Sequence, residues 1–459
     1  MLSEGNTRTL QDALRGPLIL PGDGDYDAAR TVWNDMIDRR PAAIVRCAGV
    51  ADVEAAMRFA EAHDLTVSVK GGGHNVAGTA VCDDGLMLDL SDMRKVRVDP
   101  DRRVARAEGG ATLGDLDRAT QAHGLATPGG VISTTGVGGL TLGGGFGWLS
   151  RKYGLAADNL LSVRLVTADG TCLRASADEN PGLFWGLRGG GGNFGVAVSF
   201  EFRLHPVGPQ VLFGPTLYRL DDAADALRNY RDFAASAPRD CCVWADLMTA
   251  SPLPILPEEL HGTKVLSLLQ CYLGDPAEGA RVLAPLRGFG RPIGDGVMPR
   301  PFVDAQCFLD AAYDKGARNC WSAQNFAGLD DPIPDMLVEL AAAMPTDESD
   351  ILICMLGGAI NDVAPDATAY PHRDTAFAIT PGARWRGADG DDRCKAWVRD
   401  VADTLAPHAQ AGAYGNFVSD PKGREGAAYG SNYARLAALK ARHDPRNRLC
   451  WNQNIAPAP

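Results

Sequence analysis

Lys70, Gly71, Gly72, Gly73, His74 and Asn75 place three glycines and a histidine at the end of an alternating apolar run, LTVSVK (65–70). A strand that ends in consecutive glycines exposes a row of backbone N–H groups, which suits a phosphate or pyrophosphate. The GxGxxG and Walker A patterns are both missing: no Gly-Lys-Ser/Thr follows, and the strand does not lead directly into a helix. Ordinary dinucleotide and P-loop folds are therefore disfavoured. Taken alone, a loop histidine is more often incidental than functional. Residues 129–147 (GGVISTTGVGGLTLGGGFG) change those odds, being glycine-dense and uncharged. Each glycine adds backbone entropy to be lost on folding, so neither a helix nor a regular strand is expected there. Such a loop is kept where the backbone must approach something closely. Two runs of exposed amides, about sixty residues apart, suggest a long ligand touched at more than one place. FAD fits, with its pyrophosphate and broad isoalloxazine ring. The alternative, a pair of tight sheet corners, would need fewer glycines.

The elements that must hold these loops can be read around them. Residues 43–47 read as a short buried strand. Val53, Ala56, Met57 and Ala60 recur at helical spacing within 51–63. Residues 86–91, 95–99 and 103–110 look like successive strands, and 111–124 like a helix stopped by Gly124. Residues 160–170 read as a strand pair with a turn, and 188–204 as a further glycine-rich turn feeding a long strand. Beyond about residue 207 the glycine clusters cease, and amphipathic helices such as 221–236 alternate with strand-like runs (264–273, 351–358). The expected architecture is α+β. A two-subdomain FAD-binding domain (1–206) is completed by a C-terminal segment (413–459). A substrate domain (207–412) carries a mixed or antiparallel sheet flanked by helices.

Bulk composition agrees with an enzyme of this kind. The 459 residues are 45% hydrophobic and 22% charged, enough for two or three domains with sizeable cores. A net charge of -12 argues against nucleic acid or an anionic membrane as partner. No apolar run approaches bilayer length, and the N-terminus lacks a signal-peptide stretch, so cytoplasmic location is the expectation. The eleven cysteines show no metal-ligand spacing and read as buried free thiols; no metal is expected.

Three segments carry a resemblance: KGGGHNVAG (70–78), TPGGVISTTGVGGLTLGGGFGWLSRKYGLAADNLLSVRLVTADG (127–170) and LFWGLRGGGGNFGVAVSFEF (183–202). With the ending NYARLAALKARHDPRNRLCWNQNI (432–455), they resemble the berberine-bridge-enzyme-like branch of the vanillyl-alcohol-oxidase (PCMH-type) flavoproteins. Order, spacing and length match over essentially the whole chain. The resemblance implies FAD held by a single covalent 8α-histidyl link to His74. It implies cofactor contacts from Lys70, Gly71, Gly72, Gly73, Asn75 and Gly78, and from Thr134, Thr135, Gly136, Val137, Gly138 and Gly139. Val196 would lie near the adenine, and Asn416 and Asn452 at the isoalloxazine. Tyr313, Trp321 and Asn325 would contact a small organic substrate, which is oxidised by hydride transfer to flavin N5, with O2 as acceptor. The protein would act as a monomer or homodimer, with a role in secondary metabolism.

The departures from the family pattern are informative. Gly130-Val131-Ile132 stands where many relatives place a cysteine that makes a second flavin bond. Lys70 stands where arginine is usual. Thr135 occupies the position governing oxygen access and has nearly the shape of the valine found in oxidases. Tyr414-Gly415-Asn416-Phe417 lacks the final tyrosine that serves alcohol-oxidising relatives as base. A neutral amine donates hydride with help from nitrogen's lone pair, so this tilts towards amines or activated phenols. Tyr414, Tyr313 and Asn416 are the catalytic candidates. His372 and Arg373 suggest an anion site, with a structural pair as the stronger reading. A dehydrogenase with another electron acceptor, or a flavin-scaffolded non-redox cyclase, are the alternatives.

Overall fold

A computed structural model describes residues 3–420 and 425–459. Strand Val67–Lys70 pairs in parallel with Leu86–Asp89, which pairs in parallel with Ala43–Arg46; Leu18–Ile19 adds an antiparallel edge. Parallel strands need a crossover, and helix Val50–Ala62 supplies the one from Ala43–Arg46 to Val67–Lys70, the two strands that flank Leu86–Asp89. Its buried face carries Val53, Ala56, Met57 and Ala60, the residues whose spacing predicts it. The second sheet is antiparallel, in the order Val96–Asp99, Val104–Glu108, Val196–Arg203, Leu160–Val166, Cys172–Ser176.

The third sheet has nine strands, all antiparallel. Its main path runs Gly294–Asp295, Gln210–Arg219, Lys264–Tyr272, Cys241–Thr249, Asp350–Met355, Phe377–Trp385, Arg318–Trp321. Helices Ala223–Ala234, Pro276–Arg287, Ile333–Ala342 and Asp391–Leu405 pack along it. The largest core cluster joins this sheet to the glycine-rich segment: Trp148 packs edge-on against Phe213 (5.3 Å) and tilted against Trp244 (4.7 Å). The architecture is α+β, as expected.

One expectation fails. The segment 129–147 contains a helix, Val137–Leu142. Packing overrides propensity there: a Cβ on Gly138 would press at 3.3 Å against the Gly109 carbonyl oxygen and the Phe200 ring, so only a bare backbone brings the helix this close.

The C-terminal segment is bound in from several sides. Helix Tyr433–His443 packs on helix Pro181–Leu187. The Val67 N–H donates to the Arg448 carbonyl, and the Ile455 N–H to Asn193 Oδ1. Lys440 and Asp444 form a fully buried ion pair at 2.7 Å. The ammonium also donates to the carbonyls of Asn193 and Leu449, while the carboxylate accepts from the N–H groups of Arg448 and Leu449. That clasp fixes the path of residues 449–453.

Candidate active site

A long cavity runs between the three sheets. Gly71, Gly72, Gly73, His74 and Asn75 line it at the end of strand Val67–Lys70. Thr135, Gly136, Gly138 and Gly139 line it from the second glycine-rich segment, and Gly189, Gly191, Gly192, Gly195 and Val196 from the third. The first two segments touch backbone to backbone. A Cβ on Gly72 would sit 2.3 Å from the Gly136 nitrogen, and one on Gly136 would sit 2.4 Å from the Gly72 nitrogen. At Gly139 and Gly192 the opposite holds: a Cβ would meet nothing within 4 Å, so the missing side chains leave room on the cavity wall.

His74 is held by stacking. Its ring lies 4.6 Å from Trp33 at an interplanar angle of 17°. Trp33 is itself pinned, its indole N–H donating to the Tyr313 carbonyl and its backbone N–H to the Gly73 carbonyl, both at 2.9 Å. Nε2 of His74 is enclosed and has no hydrogen-bond partner. Burial lowers its pKa to about 4, so the imidazole is neutral at pH 7 and keeps a free lone pair.

The nine-stranded sheet forms the facing wall. Residues opposite one another on adjacent strands share a face. Asp350 pairs with Gly382 and Gly382 with Trp321; Leu352 pairs with Thr380. All five line the cavity, together with Trp244, Leu309 and Tyr313. The Tyr313 hydroxyl donates to Asp350 Oδ2. Burial pushes both acids up in pKa, and the carboxylate beside Tyr313 raises the phenol further.

At the C-terminal wall, Asn416 donates to the Leu140 carbonyl (3.2 Å) and to the Tyr414 hydroxyl (2.8 Å). A side chain on Gly143 would strike Asn416 Oδ1 at 2.3 Å, so that glycine makes room for the amide. Tyr414 is fully buried against Phe146, and burial raises its pKa. Phe417, Trp451, Asn452 and Gln453 complete the wall. Asn452 Nδ2 donates to the Leu449 carbonyl, while its Oδ1 is enclosed and unpartnered.

Several sequence candidates fall outside the wall. The Lys70 ammonium turns to the Ala29 carbonyl (2.8 Å) and Asp89 (3.6 Å). Gly78 sits in a turn with φ +65°, where a Cβ would strike the Ile37 side chain, and its carbonyl accepts from Arg39. Thr134 is exposed on the outside of its loop, and Val137 is buried in the core beneath its helix. Asn325 is buried on strand Gln324–Phe326 opposite Ala378, farther along the sheet than Trp321. The pair at 372–373 is structural: Arg373 makes a bidentate bond to Asp158 (2.7 and 2.8 Å), and His372 meets the Ala428 carbonyl. Sequence reasoning passed over Trp33, Thr380 and Asp350. The available signal was an acid opening the otherwise apolar strand DILICM, and a second one inside CCVWADLMT.

Two family models match the chain: an FAD binding domain over residues 41–176, and "berberine and berberine like" over 413–456. (R)-6-hydroxynicotine oxidase of Paenarthrobacter nicotinovorans is 32% identical, the match spanning 97% of each chain. An FAD-linked oxidoreductase of Dictyostelium discoideum is 31% identical over 97% of this chain and 96% of its own length. The chain belongs to the berberine-like FAD-linked oxidoreductases. The crystal structure of 6-hydroxy-D-nicotine oxidase from Arthrobacter nicotinovorans superposes with a TM-score of 0.86 at 30% identity, over 97% of this chain and 98% of that one.

This berberine-like enzyme is thus an FAD-dependent oxidoreductase, and its cavity fits the cofactor on three counts. Bare glycines leave space along one wall. An enclosed, unpartnered imidazole nitrogen and an unpartnered amide oxygen wait on the others. Among the described residues no cysteine lines the cavity, and His74 is the one histidine on its wall. Among those residues no cluster could hold a metal ion, and no helix is long and apolar enough to cross a membrane.

Proposed function

We propose that the enzyme carries FAD on one covalent tether, from His74 Nε2 to the 8α-methyl carbon, and oxidises a small organic substrate. The observation that carries this reading is the neutral, stacked imidazole whose buried Nε2 has no other partner. FAD, when bound, supplies the hydride acceptor at N5. Gly71, Gly72, Gly73, Asn75, Gly136, Gly138 and Gly139 hold its pyrophosphate and ring edge with backbone groups, and Val196 meets the adenine end. Asn416 and Asn452 hydrogen-bond the isoalloxazine, Asn452 through its free Oδ1. Residues 1–206 and 413–459 act as one cofactor-binding unit and 207–412 as the substrate unit.

Tyr313 and Trp321 face the substrate. As hydride leaves carbon, the substrate's O–H or N–H proton passes to the Tyr313 oxygen while the phenol's own proton moves to Asp350. This relay replaces the tyrosine that Phe417 lacks. Thr135 leaves a valine-sized path for O2, which would take the two electrons together with two protons and leave as H2O2. The name of the hydroxynicotine oxidase relative supports the oxidase reading.

Anaerobic mixing with candidate amines and phenols, followed by admission of air, tests the proposal. An oxidase bleaches on mixing and recovers rapidly in air with stoichiometric peroxide. Slow recovery would mean a dehydrogenase, and turnover without bleaching a non-redox cyclase.

A further inference from the structure

The sheet face that forms this wall carries two acids that the cofactor does not need. Asp350 lines the cavity. Asp246 lies directly opposite Leu352, which lies opposite Thr380, and both of those line the cavity, so Asp246 belongs to the same face. Asp246 is therefore two residue pairs along from Asp350, the diagonal neighbour on that face. Asp246 Oδ1 is enclosed and unpartnered, and so is the hydroxyl of Thr380, which is only 4% exposed. Local charge does not balance. Arg384 lies on the same face and acts on Asp350, and its Nη1 is enclosed and unpartnered. Arg384 is already committed to Asp314 and Glu348, and Arg386 binds the same two acids. Two arginines thus stand against four acids, Asp314, Glu348, Asp246 and Asp350.

The geometry points to a substrate that binds as an ammonium cation, its N–H groups shared among Asp246, Asp350 and Thr380. This deepens the reading above and rests on the sheet-facing end of the cavity being the substrate end. The chemistry matches two carboxyls and a hydroxyl: an ammonium brings several donors and a positive charge, whereas an alcohol brings one donor and no charge. Burial and mutual repulsion push both carboxyls up in pKa, so a positive charge placed between them is favoured. Trp244, Trp321 and Leu309 would enclose the apolar body beside it.

The test is calorimetric titration of the purified holoenzyme at neutral pH with matched probes. Phenethylamine is compared with 2-phenylethanol, and cyclohexylmethylamine with cyclohexylmethanol. The cationic member of each pair should bind at least about tenfold tighter. Asp246→Asn should erase that preference, and Thr380→Val should weaken it while leaving the neutral probe unaffected. Equal affinities within each pair, including a failure of both members to bind, would overturn the inference, and so would a preference that survives Asp246→Asn. Intact mass of the same sample separates the two levels of the account. Flavin still attached to protein that shows no cation preference sinks the ammonium site alone, while a chain without attached flavin sinks the covalent reading independently.

Discussion

Tyr313 and Asp350 show how a site residue acquires its chemistry from a partner distant in sequence. In the proposed relay the phenol could accept a proton only because Asp350, which its hydroxyl already meets, takes its own proton in turn. Tyr313→Phe should therefore lower kcat by about a hundredfold to ten-thousandfold, with flavin content unchanged; anaerobic bleaching rates measure it directly, and an unaltered rate would remove Tyr313 from the relay. At this scale the sequence was most legible where function sits in one contiguous motif. His74, Tyr414, Asn416, Tyr313 and Trp321 all reach the cavity. What could not be read was pairing across the fold. Trp33 stacks on His74 from forty-one positions away (74 − 33), and Asp350 joins Tyr313 only through the order of strands in the sheet.

Glycine-rich loops and helices set the walls. The contact between Gly72 and Gly136 leaves no space for a methyl group. Gly72→Ala should cost about 1–3 kcal/mol or more and lower flavin retention, read as a fall in Tm together with the ratio of flavin to protein absorbance. A neutral outcome in both would show that the loops can part without consequence. The clasp in the C-terminal segment makes a separate prediction. Asp444→Ala leaves Lys440 charged and buried, so unfolding in urea should show a loss of about 3–5 kcal/mol. Element positions were largely legible, because the 3.6-residue and two-residue periods record burial directly. The helix Val137–Leu142 was not, since propensity penalises its glycines while the tertiary contact that selects them is invisible in sequence.

At the scale of the whole molecule, a buried polar bridge joins helix Leu113–Gln121 to helix Phe302–Gln306, which packs on it. Gln306 Nε2 donates to Asp117 Oδ2 at 3.0 Å, yet burial still pushes the Asp117 carboxyl up to about 7. The folded chain then keeps a proton that the unfolded chain releases near pH 3.9. Between those values the unfolded state binds fewer protons, so the contribution of Asp117 to stability is lost as pH rises from about 4 to about 7. Asp117→Asn removes that loss. The Tm of the variant relative to wild type should rise across this window, by an amount equivalent to about 4 kcal/mol at most; a pH-independent difference would contradict the assignment. The overall pH profile is a poorer test, because buried histidines such as His205, lowered to about 4 by burial, act in the opposite sense. The helix packing that brings Asp117 to Gln306, and the strand order that brings Asp246 to Asp350, are properties of the closed fold and not of any local pattern.

The most direct measurement is the intact mass of denatured protein, wild type beside His74→Ala, with peptide mapping of the flavin-bearing fragment. The account predicts a wild-type mass greater by one FAD, the link on the peptide that contains His74, and an unmodified variant that still binds FAD reversibly before denaturation. A wild-type chain of unmodified mass, or flavin attached to any other residue, would contradict it.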